Sequence, residues 1–423
     1  MPRRRRGGRF RSSPGLARLG MTAGRGEIPS APRGPAPWGR RDYFDLTLIG
    51  SAHGLSDGFS NMLVPVLALI VADLGLSTVE AGTLLSTFSL ATFLFLYPLS
   101  ILADYTGRKK AIVIAGLGLS AVSFVMMGWM HSFASLLVLS FLAGAGNSTY
   151  HPCGTALAAE RFSTHRSFAI SYHGLSGNIG TSLMPLLQAA IAAVANWRIA
   201  VAACAVPALA LLPMVGVRFH GKSAGAAAPH KEEGVRSMLV RVFRNRNVIL
   251  LALTYMLQGI GYKGMIGFLP LIASKKLGMD TAAIGLAVSL YFAAGAVSKP
   301  LMGYLYSRWG ARAALMAPLL GAGALTVAVP FAKWDTALIL ISVVAGVFSF
   351  VSPIILTATA DLCEPEVLAS SVGVIYTMRG LNFIAPLAGG WLAERYNLDV
   401  SFFFYGVVTW SAMLVAVRLP GKK

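Results

Sequence analysis

The sequence predicts an all-α integral membrane protein of twelve transmembrane helices, built as two six-helix bundles with pseudo-twofold symmetry. Composition points there first: 55% of the 423 residues are hydrophobic and only 13% are charged, where soluble domains carry about 25% charged residues. Mean hydropathy is +0.65. The apolar residues also gather into twelve stretches, each with the roughly 20 residues that cross a ~30 Å hydrocarbon core at 1.5 Å per residue. Finally, the two halves of the chain echo one another at a nearly constant offset.

Residues 1–41 hold eleven arginines and one acid, Glu27. They lack apolar periodicity, so a disordered basic segment is expected. With no continuous apolar core before Phe44, a cleaved secretory signal is not expected. An Arg-rich, acid-poor start fits an organellar transit peptide, or an over-extended start with Met21 as the initiator. The whole chain carries +19, but the remainder after residue 41 holds 25 basic and 16 acidic residues, a net of +9. Those cations crowd onto alternate loops, as topology requires, so nucleic acid is not an expected partner. Cys153, Cys204 and Cys363 are odd in number and lie in or beside apolar spans. They read as small core residues with no disulfide framework.

The spans run over 44–72, 79–103, 110–130, 133–158, 168–194 and 197–219, then 247–273, 281–306, 311–331, 335–360, 369–393 and 399–418. The polar, basic stretch 220–246 separates them, giving bundles over 42–219 and 247–423 joined by a cytoplasmic linker. Even-numbered loops and the C-terminus hold 17 Lys and Arg residues, and odd-numbered loops hold 5. Both termini should therefore be cytoplasmic.

Asp104-x-x-Gly107-Arg-Lys returns as Ser307-x-x-Gly310-Ala-Arg at an offset of 203. His151-Pro152, Glu160 and Pro185 return as Ser352-Pro353, Asp361 and Pro386 at an offset of 201. Parallel repeats about an axis along the membrane normal describe a secondary carrier with its site between the halves at mid-depth.

Ionisable side chains within the hydrocarbon are costly, about 2.5–3.5 kcal/mol each on insertion scales, so each marks a candidate site. His53, Asp57 and Asn61 stand four residues apart on helix 1, one stripe on one face. Asp57 lies about 20 Å along that helix, near mid-depth, where a carboxyl could load and release a proton. His53, His151 and His173 could share that proton or could be satisfied interhelical histidines. A structural, permanently paired Asp57 is the bland alternative. Asn147 and Tyr150 on helix 4 and Asn178 on helix 5 are candidate substrate contacts. Glycines 174, 177 and 180 on helix 5 suit close packing. In the second half, Tyr255, Gln258, Tyr262 and Lys263 lie on helix 7, and Tyr376, Arg379 and Asn382 on helix 11. Arg379, about 15 Å into its span, is the best candidate for anion capture because its fork fits carboxylate, phosphate or phosphonate. It could instead pair with Asp57. Lys299 lies nearer the end of helix 8, where it could simply snorkel.

The charged turn Ser100-Ile-Leu-Ala-Asp104-Tyr-Thr-Gly107-Arg108-Lys109-Lys110-Ala111 resembles the signature loop between helices 2 and 3 of the major facilitator superfamily, with Ser100 where Gly is usual. That resemblance implies a cytoplasmic conformational latch of Asp104, Gly107, Arg108 and Lys109. His53-Gly54-x-x-Asp57, Tyr150-His151-Pro152 and His173-Gly-x-x-Gly177-Asn178-x-Gly180-x-x-x-x-Pro185 resemble its fosmidomycin-resistance branch, proton-linked exporters of a small phosphonate anion. Cys153 stands where that branch often has an acid, and Ser140, Ala143 and Gly144 occupy the frame of the antiporters' R-x-x-Q-G. The expectation is a proton-coupled, alternating-access carrier of a small anionic or amphiphilic solute, with efflux as the direction. It is expected to be a monomer in a bacterial inner membrane without cofactor or metal. The rivals are a proton symporter importing an organic acid or metal chelate, and a non-transporting receptor or scaffold. No nucleophile elbow, phosphate-binding Gly-rich loop or metal-ligand spacing points to an enzyme.

Overall fold

A computed structural model describes residues 39–219, 235–364 and 367–422, without the side chains of Asp104, residues 235–239 and Ala369. The basic segment expected over 1–41 lies outside the described residues as far as position 38, as does 220–234 of the linker. The described residues form sixteen α-helices and no strand. The first half contains α1 (Arg40–Phe59), α2 (Leu67–Leu74), α3 (Thr78–Thr106), α4 (Lys109–Met127), α5 (Phe133–Asn147), α6 (Tyr150–Arg161), α7 (Arg166–Val194) and α8 (Trp197–Arg218). After α9 (Val235–Arg244) the second half contains α10 (Arg246–Leu277), α11 (Thr281–Ala328), α12 (Asp335–Ser349), α13 (Ser352–Leu362), α14 (Leu368–Gly380), α15 (Ile384–Arg395) and α16 (Leu398–Ala416).

These helices cover all twelve expected stretches, and nine among the described residues are individually long and apolar enough to cross a membrane. One of the nine, Thr281–Phe331, contains two expected spans, and it bends at Gly310, where φ is 71° and ψ 176°. The two stretches outside those nine are interrupted. Helix 1 was expected to be continuous over 44–72 but breaks between α1 and α2, so Asn61 sits in a turn rather than on the helical stripe. The eleventh stretch breaks at the 3₁₀ turn Leu381–Phe383.

Proline explains the interruptions. It has no N–H to give the carbonyl four residues back, and its ring clashes there. Pro65, Pro152, Pro353 and Pro386 thus leave Asn61, Ser148, Ser349 and Asn382 without a donor four residues on; Asn61, Ser148 and Asn382 lie between helices, and Ser349 is the last residue of α12. A further difference lies in the linker, where α9 occupies part of the stretch expected to be loop.

The repeat is visible in the backbone. Among the described residues the left-handed glycines are Gly75, Gly107, Gly278 and Gly310, two pairs separated by 203. Gly75, Gly107 and Gly278 terminate helices that lack an L side chain's penalty at positive φ only because they end on glycine. Helix starts repeat as well: Asn196 accepts from Ile199 N at 2.9 Å and Asn397 from Val400 N at 3.1 Å, each satisfying one orphan donor.

The halves meet at the face opposite the one carrying Arg40 and Arg418. There α3 packs on α15 and α11 on α7. A Cβ on Gly82 would collide with the Pro386 carbonyl, and one on Gly285, its counterpart, with Ala189. Thr78 Oγ1 donates to Gly390 O at 3.1 Å and to Glu394 Oε2 at 3.0 Å. Toward the terminal face, a Cβ on Gly174 of α7, Gly303 of α11 or Gly373 of α14 would meet nothing within 4 Å. The chain is closed at the far face. Gly82→Leu should wedge that seal, costing about 1–3 kcal/mol as overpacking does, a population shift of about five- to 150-fold. The check is labelling of a Val79→Cys reporter by an impermeant maleimide, which should speed up by about fivefold or more.

Candidate functional site

Between the halves lies a cavity of about 320 Å³, lined from the first half by Asp57, Ser60, Asn61, His151, Asn178 and Thr181. The second half contributes Tyr255, Gln258, Tyr262, Lys299, Arg379 and residues 349–352, which span the junction of α12 and α13. The breaks in the helices build this site. The gap before α6 turns His151 inward, and its repeat counterpart, Ser352, faces the cavity from the other side. Asn178 and Arg379 are also counterparts, 201 apart.

On the first-half wall Asp57 is held between two imidazoles. His151 Nε2 lies 3.1 Å from Asp57 Oδ1 and His53 Nε2 3.4 Å from Asp57 Oδ2. His53 Nδ1 lies 2.6 Å from the His173 carbonyl oxygen. A carbonyl only accepts, so the network assigns the neutral ring's proton to Nδ1. Its Nε2 is then a bare lone pair facing a carboxylate, buried and without a hydrogen-bond partner. A proton at that position would join the two acceptors. His173 stacks on His53 at 3.8 Å with planes 9° apart, so both rings cannot be charged together. Tyr150 stacks on His53 from 5.5 Å while its hydroxyl donates to Ile49 O at 2.7 Å. Gly177 makes the arrangement possible, since a Cβ there would overlap Asp57 and His53.

His53, Asp57 and His151 offer ligand atoms within 4.8 Å of one another, a spacing that would also admit a divalent cation. Lys299 and Arg379 line the same cavity and would repel a dication, whereas a single proton adds the least charge.

The opposite wall is cationic. The Arg379 guanidinium lies 4.6 Å from the Tyr255 ring centroid and 5.2 Å from that of Tyr262. Its Nη1 donates a long hydrogen bond to Tyr255 O at 3.4 Å. Gly259 leaves the room it needs. Among the described residues no ion pair joins Arg379 to Asp57, which lies instead beside two imidazoles of its own half. Lys299 does not snorkel: it turns into the cavity, where Nζ donates to Asn178 Oδ1 at 2.5 Å and sits 5.6 Å from the Phe350 ring. Among the described residues neither cation has a carboxylate partner.

Other candidates stand behind the wall. Lys263, only 9% exposed, crosses from α10 to Ser60 O at 3.2 Å and Asn61 Oδ1 at 3.3 Å. It satisfies the Ser60 carbonyl at the break after α1 and the Asn61 side-chain amide. Asn147 accepts from Ser56 Oγ at 2.9 Å and donates to Ser60 Oγ at 3.1 Å, bracing the same break. Tyr376 packs edge-on against Tyr255. Tyr376 and Asn382 do not line the cavity. In the charged turn, Gly107 has φ 62°, Arg108 is exposed and Lys109 Nζ donates to Glu160 Oε1 at 2.8 Å within the first half. The Asp104 side chain lies outside the described residues.

A family described as the Major Facilitator Superfamily matches residues 49–282 and 251–423. The probable L-galactonate transporter of Escherichia coli is 32% identical over 129 residues, 30% of this chain and 28% of that protein. The fosmidomycin resistance protein of E. coli is 27% identical over 154 residues, 36% and 38% of the two chains. The quinolone resistance protein NorA of Staphylococcus aureus is 32% identical over 124 residues, covering 29% and 30%. The chain thus spans well under half the length of these relatives. Among solved structures, a bacterial homologue of the human lysosomal transporter Spinster, inward-facing and unoccupied, superposes with TM-score 0.77 at 15% identity over 90% of this chain and 97% of that one. The nucleoside transporter NupG gives 0.73 at 14%, covering 89% and 99%.

Proposed function

The chain belongs to the Major Facilitator Superfamily and is a multi-pass membrane transporter; from that premise we propose that it carries a small organic anion by proton-coupled alternating access. One observation carries this: across a single cavity, an acid 3.1 Å from the His151 imidazole and 3.4 Å from that of His53 faces two cations that lack carboxylate partners among the described residues. Asp57 with His151, backed by His53 and His173, takes the coupling proton. Arg379 and Lys299 take the anion, with Asn61, Asn178, Tyr255, Gln258 and Tyr262 around it. The bundles 42–219 and 247–423 rock about this site, and the positive loops put both termini in the cytoplasm of a bacterial inner membrane. On that orientation the closed face is external, and the turn bearing Arg108 and Lys109 closes the cytoplasmic side in the opposite state. The probable L-galactonate transporter among the relatives supports an organic acid as cargo, and the resistance proteins make efflux the competing direction.

Purified protein in proteoliposomes tests this with labelled gluconate under an imposed pH gradient. Expected is gluconate movement that responds to the gradient and is abolished by a protonophore. Binding without any flux would instead support a receptor. Lys299→Met should raise the half-saturating gluconate concentration about tenfold, the weight of one charge-assisted contact, with folding unchanged by thermal melt.

A further inference from the structure

Resting on the carrier assignment above, we infer that the cavity takes a small hydroxylated organic anion and that a proton on the Asp57 cluster strengthens its binding, so that proton and anion travel in the same direction. Size and lining define the cargo. A volume of about 320 Å³ is at the lower end for small-molecule sites. Its wall is rich in amides and hydroxyls: Ser60, Asn61, Asn178, Thr181, Gln258 and Ser349. Gln258 is the most specific of these. Only 2% exposed, it donates from Nε2 to Ser349 O at 2.7 Å, which leaves Oε1 buried with no partner. That oxygen needs a donor, and a substrate hydroxyl supplies one. A lipophilic cargo would leave it unpaired, the situation that gives hydrogen-bonding sites their strongest discrimination.

Charge defines the coupling. Asp57 is the one acid on the lining. The groups around it are His53 on α1, Tyr150 and His151 on α6, His173 on α7, and Lys299 on α11. Tyr262 on α10 and Arg379 on α14 complete the cavity, with Lys263 behind it. With Asp57 ionised and the imidazoles neutral, the lining carries two positive charges and one negative. One proton removes or offsets the negative charge facing the anion, so proton and anion favour each other's binding. Linkage makes that effect mutual. A cationic cargo would compete with the proton and be exchanged for it, so the same cluster would then drive antiport.

The test uses detergent-purified full-length chain and gluconate as probe, with hexanoate lacking the hydroxyls and glucose lacking the charge. Gluconate should bind at least tenfold more tightly at pH 5.5 than at pH 8, and its addition in weak buffer should take up as much as one proton per site. Hexanoate and glucose should each bind at least tenfold more weakly. Asp57→Asn should hold the tight affinity at both pH values, and Gln258→Leu should narrow the gap between gluconate and hexanoate. Proton release on binding, or no pH dependence, overturns the coupling; equal affinity for hexanoate overturns the hydroxylated cargo. Either result is compatible with gradient-driven flux of some other solute, whereas absence of all flux would fall on the carrier assignment itself.

Discussion

Asp57→Asn should abolish concentrative, pH-gradient-driven uptake of gluconate in proteoliposomes, dropping accumulation to passive equilibration, while exchange of labelled for unlabelled gluconate continues. The amide is nearly isosteric and keeps an oxygen for His151 N–H, so the cluster should still assemble. It cannot ionise, so the site stays in the state that accepts the anion and the cycle loses the step that resets it. Thermal stability should change little, because the substitution removes a charge from a membrane interior where charges are costly. Uphill accumulation equal to that of the unaltered protein would take the proton role away from Asp57.

Arg379→Lys should weaken gluconate binding by between ten- and a hundredfold, and Arg379→Gln by at least as much. Lysine keeps the charge but loses the planar fork that can grip a carboxylate at two points. Hydrogen bonds to charged groups contribute about 1.5–3 kcal/mol, which is the stated range in affinity. The guanidinium is held by the Tyr255 and Tyr262 rings and one long contact to Tyr255 O, so folding should not depend on it. Isothermal titration checks this directly: an unchanged dissociation constant for either variant would remove Arg379 from the anion site.

The spans were legible because apolar runs of membrane length have few alternatives, and the repeat was legible because fixed offsets are hard to produce otherwise. The breaks were only half legible. Pro152 and Pro353 announce them, but that Pro65 removes Asn61 from its helix depends on how the chain continues beyond Phe59. Asp57, His151, Asn178, Gln258 and Arg379 could be singled out because polar groups are scarce in such helices. Which of them touch could not. Asp57 was as compatible with Arg379 as with the imidazoles, and only the inward turn of α6 decides between them. Lys299 illustrates the same limit: snorkelling and lining a cavity leave identical traces in a sequence, and the contact with Asn178 comes from a helix in the other half. Lys263, Asn147 and Tyr150 were expected at the substrate. Their neighbours show a different use, closing hydrogen-bond shells around the interrupted first helix. The repeat itself offered a signal for Ser352, the counterpart of His151.

The Gly82 and Gly285 contacts are duplicates, each pairing the entry of one helix with the proline-bearing stretch of a helix from the other half. Neither can separate while its twin remains engaged, because both belong to the same pair of bodies. The seal at the far face should therefore part in a single all-or-none event, with no half-open form through which solute could leak.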